Sequence, residues 1–166
     1  MTDTAPTPGF ERHDHAACIT DAMRAVEDSC AQNRLQLTPI RRRVLEILLA
    51  EHRALGAYDI LQVLAAEGQP AQPPVAYRAL DFLVRHGFAH RIERLNAFTA
   101  CTAPDHDHVP AFLICRACKT VAESTTELSQ GRLGQAARDS DFTIERVVVE
   151  AEGLCPRCRD SAGATA

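Results

Sequence analysis

Two Cys-x-x-Cys pairs near the C-terminal end constrain the fold of this 166-residue chain more than any other feature. They are Cys115–Cys118 and Cys155–Cys158, and a domain-sized stretch separates them. Each pair can hold a metal ion with two thiolates from one tight turn, and four thiolates at tetrahedral angles satisfy Zn²⁺ without leaving an open position. The spacing therefore predicts a small C-terminal domain that a structural zinc ion stabilises.

A redox role is the rival interpretation of the second pair. Thioredoxin-like motifs follow a strand at the start of a helix within a βαβ pattern, whereas Cys155 follows Gly153 and Leu154 near the chain end. The chain has seven cysteines, and cytosolic Cys pairs more often hold metals than form disulfides. Cys18 and Cys30 belong to neither pair, and we expect both to be core thiols.

Hydropathy and charge favour a cytoplasmic protein with a basic front half. No apolar run approaches membrane-spanning length, and the first residues lack the basic and apolar regions of a signal peptide. We therefore expect a cytoplasmic protein with no membrane partner. The net charge is −4, yet residues 34–94 contain nine Arg against six acidic residues, whereas residues 95–166 contain seven basic against ten acidic residues. This asymmetry fits a nucleic-acid reader joined to a second domain.

Helical periodicity and chain breakers predict a winged helix in the front half. Apolar residues recur at helical spacing over Ile19–Cys30, and Thr38–Pro39 is a helix start. A third helix is expected over about Ala57–Ala66, and a fourth over Pro73–Gly87. Strands are expected at Phe88–Glu93 and Ala97–Cys101. Three helices followed by a two-stranded ribbon form the winged-helix variant of helix-turn-helix. In this chain the last of those three, the fourth helix from the N-terminus, is the reader.

The back half predicts a small α+β unit. A loop rich in Asp, His and Pro precedes it, from Thr102 to Pro110. The expected order is strand, strand, helix, strand, over Ala111–Cys115, Thr120–Ser124, about Glu127–Asp139 and Phe142–Glu152. We therefore assign the whole chain to the α+β class.

A second set of metal-binding residue types surrounds the junction between the two halves. It comprises His90, Cys101, His106, His108 and Glu123. A single His on a strand is usually only a polar surface residue, but one thiolate, two imidazoles and one carboxylate make a neutral tetrahedral Zn²⁺ site. The choice of ligands stays open at this point, because His106 or Asp107 could compete with the others.

The predicted reader helix carries side chains suited to DNA. Tyr77 and Arg78 lie in its early turns, where a recognition helix meets base edges, and Arg is the usual bidentate partner of guanine. The run Arg41–Arg43 in the second helix could contact phosphates. Tyr and Arg on an amphipathic helix are more often part of a solvated face, so these residues alone do not settle the partner.

Taken together, these segments resemble the ferric uptake regulator family, and in particular its zinc uptake regulator branch. The matching segments are Leu37–Arg41, Ala57–Asp59, Pro73–Leu83, Gly87–His90 and both Cys pairs. They lie in a consistent order within the stretch from about Ile19 to Cys158. The resemblance implies a homodimeric repressor whose N-terminal winged helix binds a palindromic operator in double-stranded DNA and whose C-terminal α/β domain dimerises.

The chain departs from the family pattern at three points. Val75–Ala76 stands in the reader helix where the family usually has Thr-Val, so a hydroxyl that could contact phosphate is missing. Lys119 follows the first Cys pair where a Gly is common, so that turn must close without the permissive residue. In the loop Asp105–His108, His106 or Asp107 could compete as metal ligands. The first departure bears on DNA affinity, the second on the turn beside the structural metal and the third on the choice of metal ligands.

Carried over residue by residue, the resemblance implies two Zn²⁺ ions per chain. The implied sensory ligands are His90, Cys101, His108 and Glu123, with His106 outside the set. The implied structural ligands are Cys115, Cys118, Cys155 and Cys158. The implied DNA contacts are Tyr58 and Arg78, to which the helix pattern adds Tyr77 and Arg41. The thiolate of Cys101 favours zinc, because the iron-, manganese- and peroxide-sensing branches use His and carboxylates at their sensory sites.

These features predict a zinc-responsive transcriptional repressor of zinc uptake and homeostasis genes, with no enzymatic activity and no small-molecule substrate. The alternatives are an iron- or manganese-sensing regulator of the same family and a zinc-ribbon adaptor that does not bind DNA. A zinc hydrolase or deaminase is disfavoured because the sequence contains neither His-x-Glu nor His-Glu-x-x-His.

The expected architecture is an N-terminal winged helix-turn-helix domain followed by a small α/β dimerisation domain with a structural zinc. The expected boundaries are residues 1–13 for a disordered arm, 14–95 for the DNA-binding domain, 96–110 for a hinge, 111–160 for the dimerisation and metal-binding domain and 161–166 for a tail. His90 then belongs to the first domain and Glu123 to the second. An ion bound by both would tie the two domains at a fixed angle.

Overall fold

The computed structural model of this chain describes residue 10 and residues 15–51, 53–104, 108–125 and 131–163. Its helices are α1 (His15–Gln32), α2 (Pro39–Leu49), α3 (Ala57–Ala66), α4 (Pro73–Arg85), α5 (Arg132–Asp139) and α6 (Pro156–Gly163). Its strands are β1 (Ala89–Ile92), β2 (Ala97–Ala100), β3 (Pro110–Cys115), β4 (Val121–Thr125) and β5 (Val149–Gly153). The expected disordered arm, apart from its residue 10, lies outside the described residues, as do His106 and Asp107.

The first four helices pack around one apolar core. α2 begins at Pro39, where the fixed φ of proline suits the first helical position. Its apolar residues recur on one face, so Val44, Leu45 and Leu48 are buried together. The buried side chains that join them from neighbouring elements include Ile60, Leu64, Leu80, Leu83 and Phe88. Burial of each such side chain contributes about 1.5–3 kcal/mol, so this core fixes how α4 sits against α2 and α3.

A short antiparallel ribbon follows α4 and completes the winged helix. β1 pairs with β2, which places His90 opposite Thr99. The backbone of Leu55 exchanges two hydrogen bonds of 2.8 Å with that of Phe98 and so extends the ribbon on one side. Asn96 turns the ribbon with a φ of 46°, a left-handed conformation that Asn tolerates better than most residues.

The C-terminal domain is built on a three-stranded sheet in the order β4-β3-β5. β3 is antiparallel to β4 and parallel to β5, and the chain crosses over through α5 between β4 and β5. Its apolar core contains Phe112, Ile114 and Val121 together with Ile92 of the ribbon. Because Ala89 lies in the first core and Ile92 in the second, β1 is packed against both domains.

The predicted α+β class with an N-terminal winged helix is confirmed, but two predicted elements are shorter in the structure. The long strand expected over Phe142–Glu152 exists only as β5, and residues 142–148 have no strand partner within the described chain. A strand needs a neighbour for its backbone N–H and C=O groups, and Phe142 is 66% exposed. The helix expected over about Glu127–Asp139 begins at Arg132, after Gly131 in an extended conformation, and residues 126–130 lie outside the described part of the chain.

Two of the expected domain boundaries fall inside elements of the structure. The boundary after residue 110 falls inside β3, which begins at Pro110, and the boundary after residue 160 falls inside α6. The range 96–110, expected as a hinge, also includes β2. The domain boundaries themselves stay predictions. None of the described helices is both long and apolar enough to cross a membrane.

Candidate metal centres and nucleic-acid interface

Four metal-ligand side chains from both domains meet where the ribbon faces the C-terminal sheet, and we call them the junction cluster. They are His90 on β1, Cys101 directly after β2, His108 before β3 and Glu123 on β4. One potential ligand atom from each lies within 4.8 Å of those from the other three. Cys101 and Glu123 are buried, and Glu123 is only 5% exposed. The fold thus brings together the four residues that the sequence suggested as sensory ligands.

The carboxylate of Glu123 lies in the middle of the junction cluster. Its Oε1 atom is 2.7 Å from His108 Nε2 and 3.0 Å from His90 Nε2, and Cys101 Sγ is 3.8 Å from the same oxygen. Burial raises the pKa of Glu123, but the close approach of the two imidazoles and the backbone N–H of Thr102 outweigh burial and lower the pKa to about 2. The carboxylate is therefore ionised at neutral pH.

His90 provides a test of whether the junction cluster fits a metal ion. Its Nε2 atom is buried and makes no hydrogen bond within the described residues, despite its 3.0 Å separation from the carboxylate oxygen. A buried nitrogen without a partner destabilises a folded protein, so its presence requires an explanation. When its proton is on Nδ1, this imidazole offers the Nε2 lone pair to a cation, and a donor set of one thiolate, two imidazoles and one carboxylate fits tetrahedral Zn²⁺.

Four cysteines form a second cluster inside the C-terminal domain, which we call the thiol cluster. Cys115 ends β3 and Cys118 lies in the turn after it, whereas Cys155 precedes α6 and Cys158 lies within it. Their sulfur atoms lie within 4.8 Å of one another, with 3.8 Å between Cys118 Sγ and Cys155 Sγ. This arrangement matches the ligands of a closed tetrahedral Zn²⁺ site.

Local hydrogen bonds make the four thiols unequal in acidity. The backbone N–H groups of Cys118 and Cys155 lower the pKa of Cys115 to about 6, and the hydroxyl of Thr120 lowers the pKa of Cys118. The neighbouring sulfur of Cys155 raises the pKa of Cys158 to about 12. Four thiolates this close repel one another, so all four ionise together only around a cation.

The turn after the first Cys pair closes through a residue in an unfavourable conformation. Lys119 has a φ of 63°, and its N–H donates to the carbonyl of Cys115 at 2.9 Å. A left-handed conformation costs a residue with a side chain about 1–2 kcal/mol. Position 119 therefore favours Gly, in agreement with the departure from the family pattern noted in the sequence.

Charged residues fasten the turn of the ribbon to the C-terminal sheet, and we call these contacts the wing clamp. The carboxylate of Glu150 on β5 accepts hydrogen bonds from the backbone N–H groups of Glu93 at 2.7 Å and Arg94 at 3.0 Å. Arg94 also pairs with Glu152 at 3.2 Å, and Arg146 pairs with Glu93 at 2.9 Å. Sequence reasoning missed the clamp, because its partners lie 53 to 58 positions apart and form no local motif.

Another contact between the domains lies beside the thiol cluster. Arg53, in the loop between α2 and α3, forms an isolated antiparallel bridge with Thr120. The hydroxyl of Thr120 also lies 3.1 Å from Cys118 Sγ. The turn that carries the first thiols therefore touches the loop that leads into α3.

The aromatic and basic side chains expected at DNA are exposed on α3 and α4. Tyr58 is 76% exposed in the first turn of α3, and Tyr77 and Arg78 are exposed on α4, whose Ala76 and Leu80 face the core. Tyr58 and Tyr77 line the same cleft. Arg78 has no ion-pair partner among the described residues. These side chains are therefore accessible to a partner.

Arg41, also expected at DNA, is engaged in internal contacts. Its guanidinium carbon lies 3.8 Å from the centroid of the Phe82 ring on α4, a cation–π contact. Its Nη1 atom donates to the carbonyl of Gln36 at 2.6 Å. These contacts give Arg41 a packing role against α4, and its contact with phosphate stays a prediction.

The two arginines that follow are engaged in the same way. Arg42 pairs with Glu27 of α1. Arg43 pairs with Glu46 at 2.8 Å and donates from Nε to Glu67 at 2.7 Å, just beyond α3. The arginine run that the sequence suggested for phosphate contact therefore ties α2 to α1 and α3.

The chain matches a family and several relatives over most of its length. The sequence profile of the ferric uptake regulator family matches residues 32–152. A zinc uptake regulation protein from Escherichia coli (strain K12) is 36% identical over 139 residues, which cover 83% of this chain and 81% of that protein. The solved structure of a zinc uptake regulator in complex with zinc and DNA aligns with a TM-score of 0.81 at 35% identity, over 87% of this chain and 97% of that one.

A further relative, XcZur, has been solved in two states. Its holo form aligns with a TM-score of 0.75 at 36% identity, over 84% of this chain and 98% of that one. Its apo form aligns with a TM-score of only 0.50 at 35% identity, over 86% and 99%. The arrangement of this chain is thus closer to the holo form of that relative than to its apo form.

Proposed function

This chain belongs to the ferric uptake regulator family, and we propose that it is a zinc-responsive transcriptional repressor that binds palindromic operators as a homodimer. Its targets are genes of zinc uptake and homeostasis, and it acts in the cytoplasm as a regulator rather than as an enzyme. The observation that carries the proposal is the junction cluster, in which ligand atoms from both domains lie within 4.8 Å of one another. Two of the relatives named above are zinc uptake regulators, one of them solved with zinc and DNA.

We assign two zinc ions to each chain. The junction cluster holds the sensory ion, and the thiol cluster holds the structural ion. Bound zinc supplies a divalent positive charge and a preference for four tetrahedral ligands. Cys101 favours zinc over the iron or manganese of the alternative assignment, because a buried thiolate is a soft ligand.

The residues of the junction cluster act by setting the angle between the domains. His90 lies on the ribbon that packs against α4, whereas Glu123 lies on the C-terminal sheet. When both side chains point at one centre, α4 is held at one orientation relative to the C-terminal domain. In a dimer this orientation sets the distance between the two reader helices, which must match half-sites about 34 Å apart. A coupling of ~3 kcal/mol between the two sites would change operator affinity about 150-fold.

Exposed residues of α3 and α4 form the DNA-reading face in this proposal. Tyr77 and Arg78 lie in the first half of α4, and Tyr58 lies nearby in the first turn of α3. Arg78 is exposed without an ion-pair partner in the described part of the chain, so its guanidinium is available to guanine. Val75 and Ala76 supply no hydroxyl for phosphate contact, which leaves a larger share of the affinity to these three side chains.

A second copy of the chain covers the apolar surface that residues 142–148 leave open. Phe142, Val148 and Leu133 of α5 are all exposed, although they are large and apolar. Ile144 and Val147 line the same groove. A strand from a partner would pair the backbone of this segment and bury these side chains together.

Operator binding at buffered free zinc tests the proposal. The DNA is the duplex that the wild-type protein selects from a random pool, and the variants are Cys101→Ser and, as a matched control, Cys18→Ser. Cys18 is exposed and lies outside both clusters, so the expectation that it is a core thiol was wrong, whereas Cys30 is buried as expected. We expect Cys101→Ser to fold and dimerise but to bind DNA weakly at every zinc concentration, whereas the control behaves as wild type. Full zinc-dependent binding by Cys101→Ser would refute the sensory assignment.

A further inference from the structure

Only one of the two oxygens of Glu123 faces the junction cluster. Oε1 approaches His90, His108 and Cys101. Oε2 accepts two hydrogen bonds from Thr102, one from its backbone N–H at 2.9 Å and one from its hydroxyl at 3.1 Å. The two oxygens of this carboxylate therefore have separate tasks.

The division matters because a carboxylate can bind a metal through one oxygen or through both. Each carboxylate oxygen offers about two lone-pair sites, and Thr102 occupies two on Oε2. With Oε2 engaged, Glu123 presents a single ligand atom, and the cluster offers four ligand atoms in total. Four ligands suit Zn²⁺, whereas manganese and similar oxygen-preferring ions favour octahedral sites.

We propose that Thr102 is a metal-specificity residue: it fixes Glu123 as a one-oxygen ligand, limits the junction cluster to four ligands and so favours zinc over ions that require more. The inference rests on the proposed sensory role of the junction cluster and deepens it. Thr102 acts through Glu123 and is therefore a positioning residue.

The location of Thr102 also makes its two hydrogen bonds depend on the closed arrangement. It directly follows Cys101, whose N–H bonds to the carbonyl of Phe88 at 3.0 Å and so fixes this part of the chain to the winged helix. Glu123 lies on β4 of the other domain. The hydrogen bonds of Thr102 therefore cross the junction and orient Glu123 only when the domains are together.

Cobalt substitution tests the role of the hydroxyl. Full-length protein is chelated mildly until one zinc ion per chain remains, and Co²⁺ is then titrated into the junction cluster of wild type, Thr102→Val and Thr102→Ser. Four-coordinate Co²⁺ absorbs visible light more strongly than five- or six-coordinate Co²⁺. We expect Thr102→Val to weaken these bands per bound ion, because the Oε2 lone pair that the hydroxyl occupied becomes available as a fifth ligand. We expect Thr102→Ser to keep the bands.

Competition for metal gives the second readout. Loss of a side chain that orients a metal ligand typically costs about 10- to 100-fold in affinity. We expect about 10-fold weaker zinc binding for Thr102→Val, the low end of that range, because the backbone N–H remains and Thr102 is solvent-exposed. The affinity for Mn²⁺ should stay level or rise, so the zinc-to-manganese preference falls.

A threonine outside both clusters serves as the control. Thr20→Val removes an exposed hydroxyl that donates to the carbonyl of Ala16 at 2.9 Å within α1, so it should leave the cobalt bands of the junction cluster unchanged. The proposal would be overturned if Thr102→Val kept the cobalt bands and the zinc-to-manganese preference of wild type. It would also be overturned if Thr102→Val and Thr102→Ser lost band intensity and zinc affinity equally. A wild-type spectrum without thiolate-to-cobalt charge transfer would instead overturn the sensory site itself, and with it this inference.

Discussion

The thiol cluster and the junction cluster differ in which parts of the fold they join. The thiol cluster takes all four ligands from the C-terminal domain, where the end of β3 meets the start of α6. The junction cluster takes one ligand from each of four places in two domains. A cluster inside one domain is assembled whenever that domain is folded, whereas a cluster across a junction is assembled at one angle between domains only. This difference suits the first to a permanent ion and the second to a reversible one.

The junction also has contacts that need no metal. The wing clamp holds the turn of the ribbon to β5, and Arg53 bridges to Thr120 beside the thiol cluster. The two domains are therefore coupled in part by the chain itself. Zinc binding at the junction cluster therefore has to add only the free energy that favours one angle between the domains over the others. Typical allosteric coupling supplies about 1–3 kcal/mol.

Cys115→Ser should have the largest effect of the substitutions that distinguish the two clusters. Structural zinc binds zinc-finger peptides with an apparent free energy of about 10–16 kcal/mol, which exceeds the stability of many small domains, about 5–15 kcal/mol. Removal of the buried Cys115 thiol should therefore abolish the folded C-terminal domain and the dimer. Circular dichroism, light scattering and zinc content per chain measure these losses.

Cys30→Ser is the control for loss of a buried thiol. Cys30 is buried in the core of the winged helix and belongs to neither cluster. Its change should lower thermal stability while the zinc content and the dimer persist. A folded Cys115→Ser dimer that retains its full zinc content would show that the thiol cluster is not structural.

His90→Phe should disable the junction cluster while the fold survives. The ring keeps its packing beside Phe112, 5.6 Å away between centroids, and the variant removes a buried nitrogen that has no hydrogen-bond partner in the described structure. The variant also removes an imidazole that lowers the pKa of Glu123, so the two effects on metal-free stability oppose each other and the net change should be small. The stabilisation by zinc in excess, about 2.7 kcal/mol at 100 times Kd, should vanish, and operator affinity should fall by up to about 150-fold.

Thermal unfolding with and without zinc, together with operator titration, checks the His90 variant. His86→Phe is the matched control, because His86 ends α4 with its ring 4.7 Å from that of Phe82 and lies outside both clusters. Zinc should stabilise that control as it does wild type. If zinc stabilised His90→Phe as much as it stabilises wild type, His90 would not be a ligand of the sensory site.

The two clusters also differ in how much of each could be predicted from the sequence. The thiol cluster was recognisable because each pair brings two ligands from one turn, a local signal that needs no tertiary information. The junction cluster was recognisable only as a set of suitable residue types, and the family resemblance narrowed it to His90, Cys101, His108 and Glu123. The winged helix was predictable because periodicity, Pro39 and Gly87 each act within a few residues.

The remaining features depend on contacts between distant residues. Only β5 forms within the strand expected over Phe142–Glu152, because backbone pairing depends on a neighbouring strand as well as on the segment itself. Arg41 was expected to face phosphate but lies over Phe82, 41 positions along the chain. The wing clamp joins Glu150 to the ribbon 57 positions away. Alternation and charge do not identify such partners in a single sequence.

Glu150→Gln should weaken the junction by a moderate amount. The carboxylate accepts two backbone N–H groups, whereas a neutral amide has one oxygen to accept them. Because the contact is exposed, we expect a loss of about 1 kcal/mol, or about fivefold in the zinc affinity of the junction cluster and in operator affinity. Glu145→Gln is the matched control, an exposed residue of the preceding segment. Identical zinc titrations for the two variants would mean that the clamp does not couple the domains.

Lys119→Gly should have the smallest effect and should act on the thiol cluster alone. Glycine adopts a φ of 63° without the penalty of about 1 kcal/mol or more that a side chain incurs. Loss of the Lys charge near four sulfurs opposes this gain, and Lys119→Ala isolates that charge effect because Ala keeps the penalty. We expect the free energy of unfolding, measured by denaturant titration, to be about 1 kcal/mol higher for Lys119→Gly than for Lys119→Ala. The zinc affinity of the junction cluster should be equal in both variants. A change in junction affinity would show that the two clusters are coupled through the turn at Thr120, since that turn also touches Arg53.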